Sequence, residues 1–380
     1  MKVILIGEEN SKRTEYFRKA AEEQQVSVSF FSWDQWNIQD LEGGIVKIDP
    51  LSYDAYQLLE LKGMIGNYQE QLWRLAAASV DVKAVSSARA NLEKVNIHSS
   101  MEECNSIFPD NGINGDKGIR FLNHPVGILK ALDKVACKKL LQDKGMPVTE
   151  MLGENPRDLS ELRQMMAEHR AWSVFIKPVY GSGAAGVLAL SIQPSRGNMV
   201  AYTSACEAQG ELVQQKKIRR ITDEEEISRI LHTILELDTI VERWHPKAVS
   251  GGEMYDFRVL WQFGRLEYLV ARKSAMPITN LHLNNHAAMP EEIFTSEFPW
   301  EREQVLMEIE DLCRQAMKSF PELLVAGLDI MLDKKTGKPR IIEINGQGDL
   351  LYADIYGENR IYGTQIKHMA KGESAVWNGM

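Results

Sequence analysis

The sequence predicts an α/β protein in which a Rossmann-like first subdomain is joined to an α+β body. Three observations carry this. Lys2 to Ile6 is a continuous apolar strand ending at Gly7, a helix pattern follows from Ser11 to Glu23, and a second strand runs from Val26 to Trp33. That β-α-β order builds a small parallel sheet. From Trp172 onward the pattern changes to short strands divided by turns. The length of 380 residues, 44% hydrophobic and 26% charged, suits two or three packed subdomains with a large buried core.

The segment Asp110–Asp116 (DNGINGD) holds Gly, Asn and Asp and reads as a loop near the end of the first subdomain. One helix is expected from Val126 to Lys144, ended by Gly145 and Pro147. Val174–Pro178 and Val187–Ile192 are strands on either side of a glycine-rich turn. Asp223–Leu237 reads as a helix with Thr222 as N-cap and Glu225 completing a capping box. Strands follow at Thr239–Trp244, Phe257–Phe263 and Leu266–Ala271, then an amphipathic helix at Gln304–Ser319. Leu324–Leu332 and Arg340–Asn345 read as paired strands joined by the Asp333–Pro339 turn.

Charge and composition narrow the functional classes. Net charge is −9, whereas nonspecific nucleic-acid binding needs a basic surface. The basic cluster Lys216, Lys217, Arg219 and Arg220 reads as a solvated strand edge. Cys104, Cys137, Cys206 and Cys313 lie far apart, with neither metal-site spacing nor a disulfide framework. The apolar start is one strand long and is followed by Glu8 and Glu9, too short and too acidic for a signal peptide. No run reaches the roughly 18 apolar residues of a membrane helix. The expectation is a cytoplasmic protein with no nucleic-acid and no membrane partner. The histidines form no H-E-x-x-H pattern, and there is no G-x-S-x-G nucleophile elbow.

The chemistry-bearing residues fall in three groups. FIKPVYGSGAAGV, Phe175 to Val187, is a strand carrying Lys177 and then a loop with Gly181, Ser182, Gly183 and Gly186. Small residues let backbone N–H groups approach phosphate oxygens closely, and a nearby lysine offsets their charge. A β-hairpin using glycines for its turn would show the same residues. Second, Asp329 lies in AGLDIM, and Glu343 and Asn345 lie in IIEINGQG. Glu343 and Asn345 are two apart, so on a strand they share a face. Acids among apolar neighbours are costly unless paired or metal-bound, and hard oxygen ligands suit Mg²⁺ held together with substrate phosphates. A salt-bridged sheet end is the plainer alternative. Third, Arg258 in YDFRVLW and Arg272 in LVARKSA sit in strand-like runs, where a planar fork suits phosphoryl oxygens and carboxylates if it faces a cleft. Lys134, in the middle of the expected Val126–Lys144 helix, is ordinarily a solvent-facing residue.

Taken in order, ALDKVACKKLLQDKGMPVT, FIKPVYGSGAAGV, DTIVERW, YDFRVLW, LVARKS, GLDIM and EIN resemble the ATP-grasp superfamily. The layout is most similar to carboxylate–amine ligases of the glutathione synthetase and ribosomal-S6-modification types, over roughly Asn123 to Leu350. The resemblance implies an N-terminal Rossmann-like pre-ATP-grasp domain at residues 1–120. A first ATP-grasp subdomain with the glycine-rich loop follows at 121–245, and a second with the metal site at 246–380. It implies ATP and Mg²⁺, with Mn²⁺ as an alternative, and an acyl phosphate attacked by an amine or other nucleophile. Lys134 and Lys177 would contact ATP phosphates, and the Gly181–Gly186 loop would close over them. Glu242 and Trp244 would hold adenine through backbone groups at the hinge. Arg258 and Arg272 would steady the γ-phosphate and acyl phosphate, and Asp329, Glu343 and Asn345 would bind the metal. His245 and Pro246 in VERWHPK depart from the usual apolar hinge. The implied partners are small-molecule or peptide carboxylates and nucleophiles, and a homo-oligomer is compatible with the sequence. A kinase of the same superfamily and a non-catalytic scaffold are the competing readings; a product assay separates ligase from kinase.

Overall fold

The computed structural model describes residues 2–50, 58–78, 119–181, 183–208, 211–347 and 358–375. The expected Asp110–Asp116 loop lies outside them, as does Ser182. The chain begins with β1 (Lys2–Gly7), α1 (Lys12–Glu23), β2 (Val28–Ser32), α2 (Ile38–Leu41), β3 (Gly44–Ile48), α3 (Leu58–Ala78) and β4 (Arg120–Phe121). The strands form a parallel sheet in the order β2-β1-β3-β4. Ser11 caps α1, its hydroxyl accepting from the Thr14 N–H at 3.1 Å, and this satisfies an orphan donor of the first turn. The β-α-β reading of the opening segment therefore holds.

The expected single helix from Val126 to Lys144 is two helices, α4 (Pro125–Leu132) and α5 (Lys134–Asp143). Asp133 has left helical geometry, and its carboxylate accepts from the Ala136 N–H at 2.9 Å as the N-cap of α5. Helical periodicity ran unbroken across the joint, and the capping preference of aspartate won. Lys134 thus occupies the first turn of a helix, not the middle of one.

The second sheet collects β5 (Met151–Glu154), β6 (Ser173–Pro178), β7 (Leu188–Ile192), β8 (Met199–Ala208), β9 (Glu211–Ile221) and β10 (Thr239–Arg243). It is antiparallel, in the order β5-β10-β6-β7-β8-β9. Helices α6 (Leu159–Glu168) and α7 (Glu224–Leu235) cover it. α7 buries Ile227, Ile230, Leu231 and Ile234, the three-and-four spacing of one helix face. Its N-cap is Asp223, which accepts from the Glu226 N–H at 2.7 Å; the cap expected at Thr222 with Glu225 is displaced by one residue. β9 is the terminal strand and leaves Lys216, Lys217 and Arg220 exposed, as a solvated strand edge requires, while Arg219 pairs with Glu226 at 2.9 Å.

The third sheet is built from β11 (Val249–Ser250), β12 (Glu253–Gln262), β13 (Arg265–Ser274), β14 (His286–Ala288), β15 (Val325–Leu332) and β16 (Pro339–Asn345). Its order is β14-β13-β12-β15-β16, with β11 added to β12. β12 and β13 are joined by Phe263 at φ 49° and Gly264 at φ 83°, a left-handed pair that matches the twist of a tight hairpin. α8 (Pro290–Ile293) and α9 (Arg302–Met317) follow β14, and α10 (Arg360–Ala370) packs on α1 and β1. Among the described residues, no helix is long and apolar enough to cross a membrane, and Cys137, Cys206 and Cys313 are free and buried.

The first and third sheets are fastened together at Asn123. Its amide donates to Val325 O at 2.7 Å and Gly346 O at 2.6 Å, and its oxygen accepts from the Leu324 and Val325 N–H groups at 2.9 Å each. Beside it Lys130 on α4 meets Glu322 at 2.5 Å, both nearly free of solvent. Removing one member of such a pair strands a buried charge. Lys130→Ala is therefore expected to cost about 3–5 kcal/mol, read as a lowered urea midpoint; a loss below about 1 kcal/mol would show that the pair behaves as a surface bridge.

Candidate active site

The second and third sheets face one another across a cleft. Its empty space, open mouth included, is about 800 Å³. One wall carries Phe175, Lys177, Gly181, Gly183, Glu242, Arg243 and His245, and the other carries Asp256, Arg272, Asp329, Met331, Ile342 and Glu343. Lys134 also lines the cleft.

The third-sheet wall is set by strand register. Arg258 on β12 stands opposite Asp329 on β15, and Asp329 stands opposite Glu343 on β16. Asp256, two residues before Arg258, shares its face and stands opposite Arg272 on β13. One face therefore presents two arginines interleaved with three carboxylates. Arg258 Nε lies 2.8 Å from Asp329 Oδ1, and Arg272 reaches both Asp329 Oδ2 at 3.0 Å and Asp256 Oδ1 at 2.7 Å. Burial opposes the charge of Arg272, but Asp256 and Asp329 raise its pKa. Burial likewise opposes ionisation of Asp256, and Arg272 and Lys247 hold it well below the usual carboxylate range. Lys247 donates to Asp256 Oδ2 at 2.8 Å and to Thr279 Oγ1 at 2.5 Å, and the Thr279 hydroxyl donates to Asp256.

Asp329 and Glu343 stand opposite one another on paired strands, and each acts on the other's ionisation. Burial opposes ionisation of Glu343 too, but Lys134, Lys177 and Arg258 hold its pKa at about 2. Burial pushes Asp329 up to about 7 against the two guanidiniums, with Glu343 and Asp256 adding like charge. Two facing carboxylates need a shared proton or a cation between them. Among the described residues the Asn345 amide nitrogen has no hydrogen-bond partner; as a donor it is no cation ligand, a role open only to the amide oxygen. The carboxylates of Asp329 and Glu343 face one another across paired strands, and with the Asn345 amide oxygen two residues on they are hard oxygens that could hold a divalent cation. Among the described residues no group of three or more His, Cys, Asp or Glu is placed to hold a metal; the set here is two acids and an amide.

The opposite wall is cationic. Lys177 Nζ lies 3.0 Å from Glu242 Oε2, and its pKa is raised because Glu242 and Glu343 outweigh burial. Lys134 donates to Gly181 O at 2.9 Å and to Val179 O at 3.3 Å, tying the start of the glycine loop to the first turn of α5. Gly183 and Gly186 hold φ of 65° and 68°, with Ala184 between them at 62°, and Gly186 N–H donates to Gln214 Oε1 at 3.4 Å. Phe175 faces Met331 and Ile342 across the cleft, apolar walls for a flat ring. Trp244 stands apart from these walls. Its N–H donates to Ser173 O at 3.0 Å, and its indole packs on Phe175 and Tyr202 beside an adjoining groove. His245, its neighbour, does line the cleft.

Sequence reasoning missed Lys138, Thr149, Lys247, Asp256 and Thr279. Lys138 follows Lys134 by one helical turn, a spacing visible in the sequence. Asp256 carries the signal used for Asp329, an acid in an apolar strand two residues from an arginine. Lys247 and Thr279 lie in irregular segments and gave none.

Residues 121–362 match the YheC/D-like ATP-grasp family. The match spans more than half of the chain, and the chain belongs to that family. No curated protein matches it in sequence. Solved structures share the fold. The D-cycloserine synthetase DcsG is similar at a TM-score of 0.55 and 13% identity, covering 97% of this chain and 100% of its own. The macrocyclase MdnC from Microcystis aeruginosa MRC, bound with precursor peptide MdnA, is similar at 0.54 and 10%, covering 98% and 100%. The D-alanine–D-alanine ligase from Bacillus anthracis, complexed with ATP, is similar at 0.51 and 12%, covering 98% and 96%.

Proposed function

We propose that this protein is an ATP- and Mg²⁺-dependent ligase that activates a carboxylate as an acyl phosphate and joins it to an amine or other nucleophile. The carrying observation is the Arg258–Asp329–Glu343 row with Arg272 beside it, facing Lys177 and Lys134 across the cleft. In such a reaction the γ-phosphoryl group passes from ATP to a carboxylate oxygen and ADP leaves; a nucleophile then attacks the acyl carbon and phosphate leaves. Little covalent work falls to the protein, so positioning and charge neutralisation dominate. Lys134 and Lys177 hold the phosphates, the Gly181–Gly186 loop covers them, and Glu242 with the hinge receives the base. Arg272 and Arg258 meet the charge that shifts during transfer. A Mg²⁺ ion on Asp329, Glu343 and Asn345 would neutralise phosphate oxygens when bound.

In this reading residues 1–120 contribute to the acceptor side, 121–245 bring the glycine loop and 246–380 bring the cation set. The acceptor class is a small amine or a peptide; the peptide-bound MdnC supports the second by likeness of fold. The proposed setting is the cytoplasm. Mg-ATP is expected to raise the melting temperature of the protein, as mass action requires for a ligand that binds the native state. No shift at millimolar nucleotide, with the protein shown folded, sinks the reading. Among products, ADP with free phosphate marks a ligase, whereas a phosphorylated acceptor marks a kinase.

A further inference from the structure

We propose that Lys138 is a positioning residue that fixes the Glu242 carboxylate for recognition of the nucleotide base, so that the preference for adenine over guanine depends on it. The proposal rests on the cleft being an ATP site. Lys138 lies one turn beyond Lys134 on α5, is 3% exposed, and does not line the cleft. Its ammonium donates to Thr149 O at 3.2 Å, Thr149 Oγ1 at 2.6 Å and Ile342 O at 3.3 Å, and lies 3.3 Å from Glu242 Oε1. It therefore joins three pieces of the site: the hinge strand β10, the approach to β5, and the β16 backbone immediately before Glu343.

The division of Glu242's two oxygens gives this joint its meaning. Oε2 accepts from Thr149 Oγ1 at 2.8 Å and from Lys177 at 3.0 Å. Oε1 has Lys138 at 3.3 Å, an ion-pair distance that leaves lone-pair capacity on a residue lining the cleft. Lys177 also lines the cleft and is the cation that phosphates would draw away. Lys138 is then the counter-charge that stays with Glu242. Adenine presents an amino donor where guanine presents a carbonyl acceptor. A fixed carboxylate accepts from the first and repels the second. A buried glutamate that loses its cation reorients or takes up a proton, and both changes erase that distinction.

The test is calorimetric titration of the full chain with Mg-ATP and Mg-GTP. It compares wild type with Lys138→Met, Lys138→Gln, Glu242→Gln and the double variant Lys138→Met/Glu242→Gln, with folding checked by thermal melting. ATP binding is expected to weaken by about tenfold or more in Lys138→Met, the scale of a lost charge-assisted hydrogen bond. The ATP-to-GTP preference is expected to fall toward that of Glu242→Gln, and the double variant to be no weaker than Glu242→Gln alone, because the two residues act as one unit. Lower ATP affinity with an unchanged ATP-to-GTP ratio overturns the proposal, as does full additivity or a wild type that does not discriminate. If neither Lys138 variant folds, Lys138 is a structural cation and the proposal fails. A folded wild type that binds no ATP at all instead removes the ATP-site reading, and the inference with it.

Discussion

Glu343→Gln is expected to abolish turnover while leaving the protein folded. The fold survives because glutamine keeps the volume and its amide can donate to Asp329, the carboxylate opposite it on β15. The chemistry does not survive, because one of two anionic donors is gone from the cation set and Lys134 and Lys177 lose a counter-charge on the opposite wall. Mg²⁺ requirement should rise by about 10–100-fold or more, the scale of a disturbed metal shell. The measurement is ADP release against Mg²⁺ concentration, with a melting curve alongside. Near-normal turnover at low Mg²⁺ would make Glu343 a structural carboxylate and remove the cation site from Asp329, Glu343 and Asn345.

Arg272→Ala carries the second large effect, on two quantities at once. Arg272 is 5% exposed and is the shared partner of Asp256 and Asp329. Its loss leaves two buried carboxylates short of a cation, so stability should fall by about 3–5 kcal/mol. Transfer should suffer separately. The side chain lines the cleft, and in the proposed reaction it would meet the charge that shifts, so kcat should drop by about 100-fold or more, with little change in the KM for ATP. Lys177→Ala is the contrast: it should raise that KM clearly, because in the proposed reaction Lys177 would act on ground-state phosphates. ADP release is measured at a temperature where each variant is folded, and a urea titration reads the stability. If Arg272→Ala altered only the KM for ATP, the residue would belong to nucleotide binding and its transfer role would fall. If stability were unchanged, solvent would have to reach Asp256.

What the sequence disclosed tracks how local each signal was. The opening β-α-β unit, the β12–β13 hairpin and the β15–β16 pair were legible because period-two and helical patterns meet clear turns there. Arg258, Arg272, Asp329 and Glu343 stood out because charge is costly inside apolar strands. That cost also led to their placement on one sheet, which register then aligned into a row. The break at Asp133 was hidden, since both helices share one periodicity and only the capping bond divides them. The interior strand β8 was missed because the buried Thr203 and Ser204 break its apolar run, and of β9 only the basic stretch was read, as a strand edge. Trp244 was read from its place in VERW, yet side-chain direction on β10 and the strand after it depends on partners far away in sequence. Thr149 and Lys247 acquire meaning only from what folds against them, through Glu242 and Asp256.

The four hydrogen bonds of Asn123 have a mechanical consequence. They join the strand end of the first sheet to the start of β15 and to Gly346, just beyond β16. Two of the three sheets are thereby one bench. The second sheet meets the bench through the backbone bonds of Pro147 and Thr149 with Ile341 and the bridge of Lys247 with Asp333, and again where α3 and the Leu281–Leu283 turn pack on β9. In the proposed reaction, an acceptor held by the bench would share one packed body with Asp329 and Glu343, and that body would set its alignment toward the phosphoryl group.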